Sequence, residues 1–517
     1  MESTNPEAKP EVRLDAKERI VSAVQAVLLL IGAYGYLCVL FDLADHNGYP
    51  LLFFLGNTAL FLLTLISGLL LGGRVGVHAG AALLLGLIAG AYPWINGPQP
   101  LPSYLYAHVL ILSYTFLTLS LFGNHNRALS GGLLLLDCVK ATFVYPFLSF
   151  PALFTALFRP SRETKKVGKK VLFTLLGVAV AVVLGGIAVS LLSYDPAFRK
   201  IFTIDFDADD VWLTILKLNF AVPLAALLFG AFASSKARKV PRMAAPETAE
   251  ALKSRIRRIP AVVLIIPVAA LLVIYGVFFF TQRETYLGAF SGVLPASFTA
   301  AEYARSGFFE LCGVAAINAS LGVLMELFQK RSGRAADLLR KIANSLLALA
   351  TLVLIATALS KMILYMQRFD LTVLRLTVSI LLVLTAVGFL TSLLSQWIPK
   401  VRVTPVLVTA VGLLLLILPF CNVHGRIAAY NVDAYLARAE QGAEENRIDV
   451  SYLVYTLGSP AVPDAVRLLE SGRLDAASEQ ELKAALDERE STLSRQKPAE
   501  FSLADRRALE IIKGRRE

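Results

Sequence analysis

Charge is scarce in this chain: Asp, Glu, Lys and Arg make up 17% of its 517 residues, against about a quarter in an ordinary soluble domain. Cysteine is scarcer, with 4 residues, and histidine is nearly as rare, with 5. Cys38, Cys138, Cys312 and Cys421 stand far apart, in or beside apolar segments, so neither a disulfide framework nor a cysteine metal cluster is visible. His78, His108, His125 and His424 lack ligand spacing and read as structural. No cofactor and no resident metal are therefore expected. A Walker loop is missing as well: the Gly-Gly-Arg-Val-Gly stretch at 72–76 has no Lys-Ser/Thr after it and reads as a tight turn. Neither a dinucleotide fingerprint nor a Gly-x-Ser-x-Gly elbow stands out. The N-terminus shows no cleavable signal pattern, because polar residues Met1 to Arg19 run directly into a full-length apolar stretch.

What the chain has instead is hydrocarbon. It is 56% hydrophobic with a mean hydropathy of +0.62, and its apolar residues come in blocks of about twenty. That is the helix length needed to cross about 30 Å of lipid at about 1.5 Å per residue. The reading is an all-α polytopic membrane bundle with spans near 20–41, 51–72, 77–95, 103–122, 170–194, 211–234, 260–281, 306–328, 342–366, 374–397 and 404–421. A polar segment, 1–19, precedes a transmembrane domain, 20–422, and a charged periodic tail, 423–517, follows. Residues 130–158 are apolar but contain Asp137, Lys140, Pro146 and Pro151, so they read as a re-entrant or broken-helix element. If they cross instead, the chain has twelve spans.

The net charge of +11 does not point to nucleic acid, because the basic residues lie between apolar blocks. Connectors 159–170, 235–259 and 329–341 are basic and are expected inside; 195–210, with Asp195, Asp205, Asp207, Asp209 and Asp210, is expected outside. That arrangement puts the tail outside the cytoplasm. In the tail, Ser478 with Glu481 and Ser502 with Asp505 have capping-box spacing, and Gly472 and Gly514 follow apolar-periodic stretches as helix ends do. The tail therefore reads as a small helical domain able to bind an extracytoplasmic protein partner.

Residues 303–311 read Tyr-Ala-Arg-Ser-Gly-Phe-Phe-Glu-Leu, with Asn318 following in the same span. Together with Tyr365, Leu371, Thr372 and Arg375, and with Asn431, Asp433, Ala437, Asp449, Tyr452 and Leu453 in the tail, this stretch resembles a family of multipass bacterial membrane proteins of unknown function. Tyr303, Arg305, Gly307, Phe308, Tyr365, Thr372 and Arg375 carry the resemblance. Ser306 stands in place of a longer polar residue, and Asp370 stands where Gly is expected. The resemblance implies architecture and a bacterial cytoplasmic membrane location, and no reaction.

Ionisable groups at membrane depth are the functional candidates, because charge there is costly. Glu310 opens its span, where helix N–H groups favour a carboxylate; it reads as a capping group beside Arg305 or as a proton or cation ligand. Asn318 lies about 80° off the face of Glu310. Asp137 and Lys140, at i and i+3, read as a structural ion pair or as a pathway pair beside the prolines. Lys217 and Lys361 lie near predicted outer ends, either snorkelling to the interface or lining a vestibule with Glu310. Asp42, Asp45 and His46 form a turn too short for the shelf that lipid-linked transferases build. Three functional classes follow: a transporter or conduit for a small solute or lipid-like substrate, a non-catalytic envelope or signalling component acting through its tail, and a lipid-carrier transferase.

Overall fold

The computed structural model describes residues 16–42, 50–97, 99–123, 133–158, 208–237, 257–281, 308–330, 333–441, 446–497 and 500–515. They form helices α1 (Ala16–Asp42), α2 (Pro50–Leu70), α3 (Val77–Asn96), α4 (Pro100–Leu121), α5 (Leu133–Phe143), α6 (Tyr145–Leu148), α7 (Ala152–Leu157), α8 (Ala208–Ala237), α9 (Ala261–Thr281) and α10 (Phe308–Phe328). The rest are α11 (Arg334–Phe369), α12 (Val373–Trp397), α13 (Val403–Ile417), α14 (Val423–Glu440), α15 (Val462–Glu470), α16 (Ala476–Arg495) and α17 (Leu503–Gly514). The protein is an all-α polytopic bundle. Among the described residues, 9 helices are long and apolar enough to cross a membrane, and Leu311–Glu326 is a shorter apolar helix. Helix is the expected form, because an open chain in lipid must satisfy its backbone internally. The expected span 170–194, the basic loop 159–170 and residues 195–207 of the acidic loop lie outside the described residues; Asp209 and Asp210, expected in that loop, lie in the first turn of α8.

Two boundaries differ from the sequence reading. The segment 329–341 was expected as a basic loop before a span at 342, yet α11 starts at Arg334 and runs for 36 residues. At about 1.5 Å per residue that is about 54 Å, well beyond the hydrocarbon thickness. Its first two turns carry Arg334, Asp337, Arg340 and Lys341, so a hydropathy window counts them as loop although they are helical. In the tail, Ser478 does not cap a helix: Asp475 is the N-cap, its carboxylate accepting from the Ala477 and Ser478 amides. Ser502 with Asp505 does form the expected capping box, and Gly472 adopts φ +62° just past α15.

The stretch 133–158 consists of three short helices, with Pro146 in the first turn of α6 and Pro151 capping α7. It packs closely. The Ser234 hydroxyl donates to the Tyr145 carbonyl at 2.8 Å, and a Cβ on Gly230 would sit 2.1 Å from the Pro146 oxygen. Only glycine lets α8 come that near.

The chain divides into two units, 1–94 with 98–125 and 137–241, and 95–97 with 126–136 and 242–517. In the first, α1, α2, α4 and α8 pack together. In the second, α9 to α12 share two cores, one around Leu354, Ile355 and Phe389 and the other around Val268, Met325 and Leu347. α13 has no buried residue. The tail helices α14 to α17 surround a further core of Ile427, Val432, Leu453, Leu457, Leu482 and Leu486, against which Leu371, Val373 and Leu376 of the α11–α12 connection also pack.

Candidate functional site

The first unit has a half-open apolar cavity of about 410 Å³ between α1, α2, α4 and α8. Glycines make the space: Gly35 and Gly56 line it, and a Cβ on either would meet nothing within 4 Å. Leu60 and Leu228 contribute to the walls, and Tyr114 brings the polar edge. Behind Tyr114 lies Gln25, fully buried. Its amide donates to the Thr64 hydroxyl at 2.7 Å and to the Tyr114 hydroxyl at 3.3 Å. A lone amide in the apolar run of α1 was the only sequence signal for this cluster, and it was not singled out. Lys140 and Lys217 belong to this unit, and both are half-buried. Asp137 lies on α5, with its side chain outside the described residues.

The second unit holds three polar assemblies. Near the middle of α10, Asn318 is fully buried. It accepts from the Tyr275 hydroxyl at 2.7 Å and donates to the Thr351 hydroxyl at 2.9 Å, and Thr351 in turn donates to the Leu347 carbonyl. Its carbonyl and its amide are thus both engaged, as buried polar groups must be. Asn318 holds α9, α10 and α11 together. The sequence reading found Asn318 but neither partner, since a Tyr and a Thr in apolar spans carry no distinguishing signal.

One end of α11 carries Arg340, 4% exposed. Its Nη1 donates to the Glu326 carboxylate at 2.7 Å and to the Gln396 side-chain oxygen at 2.9 Å; Asp337 lies 3.5 Å from its Nε. Three helices therefore meet at one guanidinium, whose rigid fork suits several acceptors at once. Glu326 pairs with Arg340 across helices while keeping part of its side chain in solvent. Lys361, toward the other end of α11, is buried at 6% exposure. Glu310 sits in the first turn of α10, with its side chain outside the described residues. Tyr303, Arg305 and Gly307 lie outside them entirely, as does the side chain of Phe308.

The third assembly surrounds the connection between α11 and α12, where Tyr365, Thr372 and Arg375 come together. The Arg375 guanidinium lies 4.2 Å over the Tyr365 ring, donates to the Phe369 carbonyl at 2.6 Å and also reaches the Asp370 carbonyl. Thr372 caps α12 by accepting from the Arg375 amide at 3.3 Å. The tail grips this turn. Asn431 accepts from the Leu371 amide at 2.7 Å and donates to the Leu371 carbonyl at 2.9 Å. The Tyr452 hydroxyl accepts from the Val373 amide at 2.8 Å, and Arg438 pairs with Asp370 at 3.1 Å. Tyr452 and Asn431 were legible only through resemblance; Arg438 was missed.

Among the described residues no group of three or more His, Cys, Asp or Glu side chains is placed to hold a metal ion. Asp45 and His46 lie outside those residues, as does the side chain of Asp42. His108 bonds its own helix at Tyr104, and His78 lies edge-on to Phe116.

No curated protein and no solved structure matches this chain. A family model described as a domain of unknown function, DUF4153, matches residues 31–468, which takes in the spans from α1 to α13 and the tail as far as α15. The chain is a multipass membrane protein belonging to the DUF4153 family.

Proposed function

We propose that this membrane protein is a conduit for a lipid-like substrate, and that the cavity of its first unit receives the substrate's hydrocarbon chain. One observation carries the reading: a cavity of about 410 Å³, lined almost wholly by apolar side chains, lies among helices of membrane-spanning length. An ion or polar solute entering such a space would lose its hydration without compensation. A hydrocarbon chain loses nothing on leaving the lipid and gains close packing. The buried polar group best placed to serve a polar pathway, Asn318, is already committed to Tyr275 and Thr351. The charge pattern supports a cytoplasmic-membrane orientation with connectors 235–259 and 329–341 inside and the tail outside.

The test uses the full chain in lipid nanodiscs containing a phospholipid with a photoactivatable diazirine near its chain terminus. Crosslinks should concentrate on the segments around Gly35, Gly56 and Tyr114. Gly35→Leu and Gly56→Leu fill the cavity without touching the backbone, so each should cut that labelling several-fold and slow transbilayer movement of fluorescent lipid in vesicles. Labelling spread evenly over exposed helices such as α13, and unchanged in both variants, would sink the reading.

A further inference from the structure

Irregular backbone gathers where the tail meets the α11–α12 connection. Asp370 has φ +64° and ψ 168°, a region that glycine occupies freely and other residues enter only under strain. Residues Tyr452–Thr456 form a π turn, a rare form that recurs at functional positions. The two are joined, because the first residue of the π turn is Tyr452, which holds the Val373 amide. Beyond the π turn, the Leu457 carbonyl meets His424 at 3.2 Å, and Arg489 donates to the Val454 carbonyl at 2.9 Å. Leu371 and Val373 also pack against the tail's own core. Strain of this kind persists only where the surroundings hold it in place; here Arg375 holds the turn from within the hairpin, and the tail holds it from outside through Asn431, Arg438 and Tyr452.

We propose that the tail is a latch on the α11–α12 hairpin: the strained 369–373 turn and the tail's π turn open and close as one cooperative unit. A ligand or a force acting on the tail is thereby transmitted to the two membrane helices. Two contacts of different character set the latch. The Asp370–Arg438 pair is partly exposed, at 21% and 28% of the side chains, and yields first. The hydrogen bonds of Asn431 and Tyr452 to backbone amides hold until the tail core loosens.

The two amides at issue, those of Leu371 and Val373, report directly by hydrogen exchange in the full chain in nanodiscs. Tyr452→Phe removes the acceptor and should speed exchange of the 370–376 peptide about tenfold, with the 452–457 peptide accelerating in step. Leu486→Ala, in α16 of the tail core, leaves Asn431, Arg438 and Tyr452 in place. It should nevertheless speed the same turn several-fold. A tail core that opens while 370–376 keeps its wild-type protection would overturn the proposal. Arg438→Met and Asp370→Gly separate strain from contact: both remove the ion pair, but only the second relaxes the backbone, so the turn should exchange several-fold faster in Arg438→Met. Equal rates would remove strain from the mechanism and overturn the latch as stated.

Discussion

Arg438 of α14 pairs with Asp370 at 3.1 Å across the junction between the tail and the α11–α12 hairpin, and Asp370 does so from a backbone conformation that suits glycine. Glycine is what φ +64° with ψ 168° favours at this position. An aspartate is strained there by about 1–3 kcal/mol, and a partly exposed ion pair offsets about 1 kcal/mol at most.

Asp370→Gly is therefore expected to be neutral or stabilising by up to about 2 kcal/mol, because relief of strain equals or outweighs the lost pair. Asp370→Ala keeps the strain, loses the pair and should destabilise by about 1 kcal/mol. Thermal unfolding of the two variants in one detergent gives the order directly; an Ala variant as stable as the Gly variant would contradict the strain argument.

The hub at Arg340 predicts non-additivity. Glu326→Leu leaves a buried guanidinium, 4% exposed, with the Gln396 oxygen at 2.9 Å and the Asp337 carboxylate at 3.5 Å as remaining partners. Glu326 is itself 47% exposed, which limits the loss to about 2 kcal/mol. Adding Arg340→Met should recover most of that loss, since the stranded charge is gone. If the two losses simply sum in denaturation measurements, the pair is not the source of the cost.

Tyr275→Phe removes the donor to the Asn318 carbonyl at membrane depth and should cost about 1 kcal/mol. Thr351→Val should cost a similar amount, and Asn318→Leu, which takes the acceptor from Tyr275 and one of two bonds from Thr351, more than either. A double-mutant cycle between Tyr275→Phe and Asn318→Leu should show coupling near the full cost of the Tyr275→Phe change. Zero coupling would mean that the 2.7 Å contact contributes nothing.

The tail should lose stability in mild acid through His424. Burial pushes its pKa below the ordinary value, opposed by its bond to the Leu457 carbonyl, so the folded tail favours the neutral ring. The unfolded chain takes up a proton near pH 6.5, and the folded chain only at lower pH. The stability this difference supplies is complete above pH 6.5 and is lost as pH falls toward the folded pKa. His424→Gln should flatten the decline between pH 7 and 5 seen in wild-type thermal unfolding. A wild-type profile as flat as that of the variant would show that the ring titrates normally.

Apolar run length made most of the fold legible. The stretches 51–72, 77–95 and 374–397 were expected as spans, and α2, α3 and α12 follow them closely. Where charged residues extended a helix, as at Arg334 to Lys341 in α11, the same signal began too late. The ionisable candidates were much harder to read. Lys361 is buried and Lys217 and Lys140 are half-buried, a distinction their composition and spacing did not carry.

What the amino-acid order determined alone is that this chain must be helical in lipid: about twenty consecutive apolar residues leave the backbone no other partner than itself. Which face of each helix meets protein was left to the tertiary structure. Lipid and protein interior are equally apolar, so α13, with no buried residue, and α11, which carries Arg340, Asn344 and Lys361 inside, differ by what neighbours them. The cavity behind Gly35 and Gly56, the sharing of Arg340 among three helices and the tail's hold on Asp370 exist only once distant segments pack together. They depend on distances between those segments, and such distances are a property of the packed chain.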